Sequence, residues 1–139
     1  MTEPAFQYSR RLFHHETDAD KVCHYSNYFR ICEEAMMEML RARDIPLEHA
    51  DYSLAVVSAH ADYLAPLRFG ELFTVTLALG QVRRSWFELN ATLTGAGDGP
   101  CARMALKLAA VSTETGKSVP LSSKVTAVLG PSATSPRPS

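Results

Sequence analysis

The stretch from Glu16 to Ala35, Glu-Thr-Asp-Ala-Asp-Lys-Val-Cys-His-Tyr-Ser-Asn-Tyr-Phe-Arg-Ile-Cys-Glu-Glu-Ala, passes from a polar loop into a long apolar helix. Tyr28, Ile31, Cys32, Ala35, Met36, Met39 and Leu40 recur at the i, i+3, i+4 spacing of one helical face, while Arg30, Glu34, Glu38 and Arg41 fall off that stripe. Ser26 or Asn27 is the expected cap, and Pro46 stops the helix soon after its end. The carboxylate of Asp18 lies just upstream. A helix start offers unpaired backbone N–H donors and the positive end of a dipole, so an acidic side chain and a polarised carbonyl group can be brought together there.

On the N-terminal side, Phe6 to Phe13 reads as a strand, and His14 to Asp18 as a polar loop. On the C-terminal side, after a loop around His49 to Ser53, four strand-like runs follow: Leu54 to Leu64, Leu72 to Val82, Ser85 to Thr94 and Cys101 to Val111. Alternation is clearest where Phe73, Val75, Leu77 and Leu79 oppose Thr74, Thr76 and Ala78, and where Phe87, Leu89, Ala91 and Leu93 oppose Glu88, Asn90, Thr92 and Thr94. Pro66 and Gly70 interrupt the chain between strands, and Gly95-Ala-Gly-Asp-Gly-Pro100 is turn chemistry between neighbours. The expected fold is therefore α+β, with one long helix packed on a five-stranded antiparallel sheet. A single helix covers one face and leaves edges open, which favours a homodimer or homotetramer. Beyond Gly130 the tail Pro-Ser-Ala-Thr-Ser-Pro-Arg-Pro-Ser has too little apolar material to pack, so one domain over 1–130 and a flexible segment over 131–139 are expected.

With 139 residues and 46% of them hydrophobic, the chain is long enough for one real core and too short for two. A formal charge of −1 and a pI near 6.5 give no electrostatic reason to expect nucleic acid or an acidic membrane surface as partner. Cys23, Cys32 and Cys101 form neither a disulfide framework nor a zinc ribbon. With no basic-then-apolar leader and no membrane-length apolar run, a soluble, cytoplasmic protein is expected. His14, His15, Glu16, Asp18, Asp20, Cys23 and His24 are the residues a metal would use. Adjacent histidines on extended chain point apart, and Asp18-x-Asp20 lacks the glycine and final glutamate of a calcium loop, so no metal is expected.

Thr17-Asp18-Ala19, Val22 and Tyr25-Ser-Asn-Tyr28 leading into the helix, Asp62-Tyr-Leu-Ala-Pro66 with Gly70-Glu71, and Arg83-Arg84-Ser85 together resemble the recurring segments of the 4-hydroxybenzoyl-CoA thioesterase-like family. The resemblance covers most of the chain and implies the hotdog fold. It further implies hydrolysis of an acyl-CoA or acyl-carrier-protein thioester, with the family's essential aspartate at Asp18 and no metal or other cofactor. Where many relatives have Gly, this chain has Lys21 after Asp20, at a place where glycine alone readily takes positive φ, so an altered loop and acyl pocket are expected.

The Asp18 carboxylate would attack the thioester or deprotonate water. The backbone N–H of Tyr25 is the candidate oxyanion donor, and His24, Tyr25, Asn27 and Tyr28 are candidates to contact the substrate, Asn27 also being read as a structural cap. Arg83 and Arg84, with Ser85, are candidates for the phosphates of the carrier. Glu33 and Glu34 are possible second acids, and His60 with Asp62 share one face of a strand. The competing reading is a non-catalytic hotdog module that binds an acyl chain or a protein partner.

Overall fold

A computed structural model describes residues 6–46, 51–123 and 125–126. Strand β1 (Phe6–Arg11) leads through a 3-10 turn (His14–Glu16) into helix α1 (Ser26–Ala42), and β2 (Tyr52–Tyr63), β3 (Leu72–Val82), β4 (Trp86–Thr94) and β5 (Pro100–Ser112) follow. The strands form one sheet in the order β1-β3-β4-β5-β2, antiparallel at every pairing. The helix and five-stranded sheet expected from the sequence are both present, and the first and second strands in the chain are the two edges.

The helical stripe is the core face. Tyr28, Ile31, Cys32, Ala35, Met36, Met39 and Leu40 are all buried, against Phe73, Val75 and Leu77 of β3, Phe87, Leu89 and Leu93 of β4, and Met104, Leu106 and Leu108 of β5. Burying a side chain of this size contributes roughly 1.5–3 kcal/mol, so packing rather than helix propensity holds α1 in place. At its C-terminus the Ile45 N–H donates to Leu40 O at 2.9 Å and the Asp44 N–H to Arg41 O at 3.0 Å. Asp44 takes φ 59°, and Ile45 and Leu40 are both buried. This is a Schellman stop with an aspartate in the left-handed position, and Pro46 follows it.

Local boundaries differ from the sequence reading at several places. β2 begins at Tyr52, inside the expected loop around His49 to Ser53, and ends at Tyr63 rather than Leu64. β4 begins at Trp86 rather than Ser85, and β5 takes in Pro100 and Ser112 because both still pair with their neighbouring strands. β1 ends at Arg11 rather than Phe13, because Leu12 turns into the core with its N–H on Glu71 O at 3.0 Å. The segment expected to be plain loop holds the 3-10 turn, closed by the Glu16 N–H on Phe13 O and by the Glu16 carboxylate on the Phe13 N–H. Neither Ser26 nor Asn27 caps α1. Both lie inside it, Tyr25 occupies the capping position, and the ring of His24 does the work of a cap. The boundary at Gly130 and the tail 131–139 lie outside the described residues, as does His49.

The pairing registers give the sheet two distinct ends. Arg11, Tyr63, Leu72, Thr94 and Pro100 gather at one, and Tyr52, Val82, Trp86 and Ser112 at the other. Edge strand β2 has a register shift between Val56 and Ser58, and from Val56 onward it is largely exposed: Val56 is 47% and Val57 54% accessible.

Candidate active site

Asp18 sits in a small loop hairpin. Thr17 pairs with Cys23, Val22 pairs with Arg68, and the Asp18 N–H donates to Val22 O at 2.9 Å. One carboxylate oxygen, Oδ1, accepts from the N–H groups of Asp20 at 2.8 Å and Val22 at 3.4 Å. The other has no partner among the described residues, and the side chain is exposed. Lys21 closes the turn at φ 63°, with its N–H on Asp18 O at 3.0 Å. The left-handed conformation that glycine supplies readily is thus held here by a lysine, at a strain of about 1 kcal/mol.

The start of α1 lies beside this hairpin, because the Glu16 carbonyl accepts from the His24 N–H at 3.0 Å and from Asn27 Nδ2 at 2.8 Å. The first helical donors are largely taken: Ser26 N–H by His24 Nδ1 at 3.2 Å, Asn27 N–H by His24 O at 2.9 Å and Tyr28 N–H by Tyr25 O at 3.3 Å. The Tyr25 N–H has no acceptor among the described residues. The Tyr25 ring is 65% exposed and stacks on His24 with centroids 4.6 Å apart. Tyr63 joins this cluster from the end of β2, 5.0 Å from the ring of buried Tyr28, with its hydroxyl donating to Tyr25 O at 3.4 Å.

Under the hairpin lies a buried ion network. Arg10 binds both oxygens of Glu16 at 2.9 and 2.6 Å and reaches Glu34 of α1 through Nε at 2.9 Å. The Tyr8 hydroxyl donates to the same Glu34 at 3.0 Å, and the Arg10 guanidinium lies over the rings of Phe13 and Phe73. Burial pushes the Glu16 carboxyl up, but hydrogen bonds from Arg10 and the Phe13 N–H outweigh it and hold the group below its ordinary range. Burial also pushes the thiols of Cys23 and Cys32 up to about 12 each, and raises Cys101. Burial thus opposes thiolate formation at all three sulfurs.

Among the residues singled out by sequence, the structure brings Asp18, His24, Tyr25, Asn27 and Tyr28 together. Asn27 and Tyr28 are tied into the fold, the former on the Glu16 carbonyl and the latter in the core. Arg83, Arg84 and Ser85 stand at the opposite end of the sheet within one copy of the chain. There Arg83 donates to Gln81, and the carbonyls of Arg84 and Ser85 accept from Leu121 and Ala110. A cavity of about 730 Å³ at that end is lined by Asp51, Tyr52, Ser112 and Pro120 among others, remote from Asp18. Glu33 is exposed, Glu34 belongs to the ion network, and His60 pairs with Asp62 at 3.2 Å. His14 and His15 contact different rings, Phe69 and Phe13. Sequence reasoning missed Arg10, considered Glu16 only as a metal candidate, and gave Tyr63 no role of its own. Arg10 shares the inward face of β1 with Phe6 and Tyr8, and a charge at such a position signals a buried partner.

Among the described residues no helix is long and apolar enough to cross a membrane. The thioesterase-like superfamily matches residues 13–129. A protein from Aquifex aeolicus, provisionally named an esterase, is 41% identical over 85 residues, 59% of this chain and 66% of that protein. A 1,4-dihydroxy-2-naphthoyl-CoA hydrolase from Nostoc punctiforme is 29% identical over 94 residues, 65% of this chain and 64% of its own. The matches thus span slightly less than two thirds of these relatives. The crystal structure of a hypothetical protein from Aquifex aeolicus superposes with a TM-score of 0.81 at 31% identity, over 89% of this chain and 98% of that one. The helix on its five-stranded sheet and the family match over most of the sequence lead to one assignment: the chain belongs to the thioesterase-like superfamily and has its hotdog fold.

Proposed function

We propose that this protein hydrolyses an acyl thioester, carried on coenzyme A or on an acyl carrier protein, to a free carboxylic acid and a thiol. What supports the reading is an anchored but exposed Asp18 carboxylate, on a hairpin whose Glu16 carbonyl is hydrogen-bonded to the start of a 17-residue helix where the Tyr25 N–H has no acceptor among the described residues. The carbonyl oxygen of the thioester would accept from that N–H, where the helix dipole favours developing negative charge. Asp18 would then either attack the carbonyl carbon, expelling the thiolate and leaving an anhydride for water to cleave, or take a proton from the attacking water. Kinship with a hydrolase named for a CoA thioester supports the substrate class. Lys21 takes the left-handed position with its N–H on the Asp18 carbonyl, so the hairpin that carries Asp18 is closed in this chain.

The working unit in this proposal is a homodimer paired along β2, in the cytoplasm, where the free cysteines stay reduced. Antiparallel pairing of two β2 edges reverses strand direction, so the Tyr63 end of one copy lies by the Tyr52 end of the other. Since Ser85 is hydrogen-bonded to β5 at that second end, such a dimer carries Arg83 and Arg84 of one copy toward Asp18 of its partner. Thiol release from aliphatic, aromatic and β-keto acyl thioesters on both carriers tests the reading. Turnover of at least one class supports it, and no release from any of them, with binding retained, returns the protein to the non-catalytic alternative.

A further inference from the structure

Glu16 touches the proposed machinery twice without facing the substrate. Its side chain is fixed by Arg10 and the Phe13 N–H, and its backbone carbonyl holds both the His24 N–H and Asn27 Nδ2 at the helix start. Asp18 follows two residues later, on the hairpin that begins where Thr17 pairs with Cys23. Arg10 in turn binds Glu34 in the third turn of α1, so the same guanidinium ties the loop to the helix at a second height. The side chain of Glu16 is 2% exposed and that of Arg10 14%.

A buried ion pair of this kind is weak stabilisation, since apolar residues of equal volume often serve as well. What it supplies is direction. Six hydrogen bonds meet at one residue, from Arg10, Phe13, His24 and Asn27 and to the Phe13 carbonyl, and together they tie the loop to the helix start. We infer that Glu16, with Arg10, is a positioning residue that sets the separation between the Asp18 carboxylate and the Tyr25 N–H. This inference rests on the thioesterase reading. A displacement of about 1 Å between such groups lowers rate by roughly a hundredfold while leaving substrate affinity nearly intact.

The test is a double-mutant cycle of Glu16→Gln with Asp18→Asn, rates being taken per folded molecule. Expected are a fall in kcat of roughly ten- to a hundredfold for Glu16→Gln, KM within about twofold, and a double variant no slower than Asp18→Asn alone. Arg10→Lys, which keeps the charge but not the fork, should show a milder loss with the same non-additivity. Amide hydrogen exchange in Glu16→Gln supplies a readout free of activity: the Asp20 and Val22 N–H groups, which hold Asp18, should exchange faster while amides of β3 and β4 do not change. If Glu16→Gln does not fold, the same two measurements on Arg10→Lys decide. Losses that multiply, or a uniform rise in exchange, overturn the inference and leave an ordinary stabilising pair. Full activity in Asp18→Asn instead overturns the thioesterase mechanism itself, a separate outcome.

Discussion

One oxygen of Asp18 is bound by two backbone N–H groups and the other is free among the described residues, so the carboxylate is oriented without being used up. Asp18→Asn keeps the size and one acceptor oxygen, so the hairpin should persist. The group that attacks or takes the proton is lost, and kcat should fall by at least roughly a hundredfold with the melting temperature little changed. Near-normal turnover in steady-state thiol release would remove Asp18 from the chemistry. At this scale Asp18 and Tyr25 are candidates from sequence because both stand in a recurring motif. Arg10 was passed over and Glu16 considered only for a metal, since both are ordinary charged residues until the topology turns them inward and brings Glu34 to meet them.

At the scale of elements, hydrophobic period decided most of the outcome. The i, i+3, i+4 stripe of α1 and the alternation of β3 and β4 are the buried faces, because each period matches a geometry that can bury only one side. Helix capping was harder to read, since Ser26 and Asn27 are favoured cap types but the ring of His24, two residues before Ser26, reaches the Ser26 N–H. This makes a distinguishing prediction. Ser26→Ala removes a hydroxyl that lies 2.7 Å from the same His24 nitrogen but leaves the Ser26 N–H on it, so it should cost less than His24→Ala, which unmakes both contacts and should destabilise by about 1 kcal/mol. Urea unfolding of both variants checks it, and a larger loss at Ser26 would restore the hydroxyl as the cap. Strand order was not legible, because alternation fixes the face of a strand and says nothing of its neighbour.

For the whole molecule, the proposed dimer addresses together the exposed edge at β2 and the separation of Arg83 and Arg84 from Asp18. An open edge displaying Val56 and Val57 invites another strand, and proteins that keep such edges free usually guard them with lysine. Val57→Lys should therefore convert a dimer to a monomer by light scattering at micromolar concentration, and should lower turnover although Asp18 is untouched. A wild-type monomer, or a fully active monomeric variant, contradicts the paired arrangement. Replacing Arg83 and Arg84 by Ala should leave the dimer whole and raise KM far more than it lowers kcat, because a phosphate contact is made in ground state and transition state alike. The effect should shrink in high salt, where charges are screened beyond a few ångströms. A truncated thioester lacking the nucleotide, such as that of N-acetylcysteamine, should be indifferent to the change if these arginines hold the nucleotide's phosphates. Equal losses on the full and truncated substrates would place both arginines in folding or assembly, and the carrier would need another site.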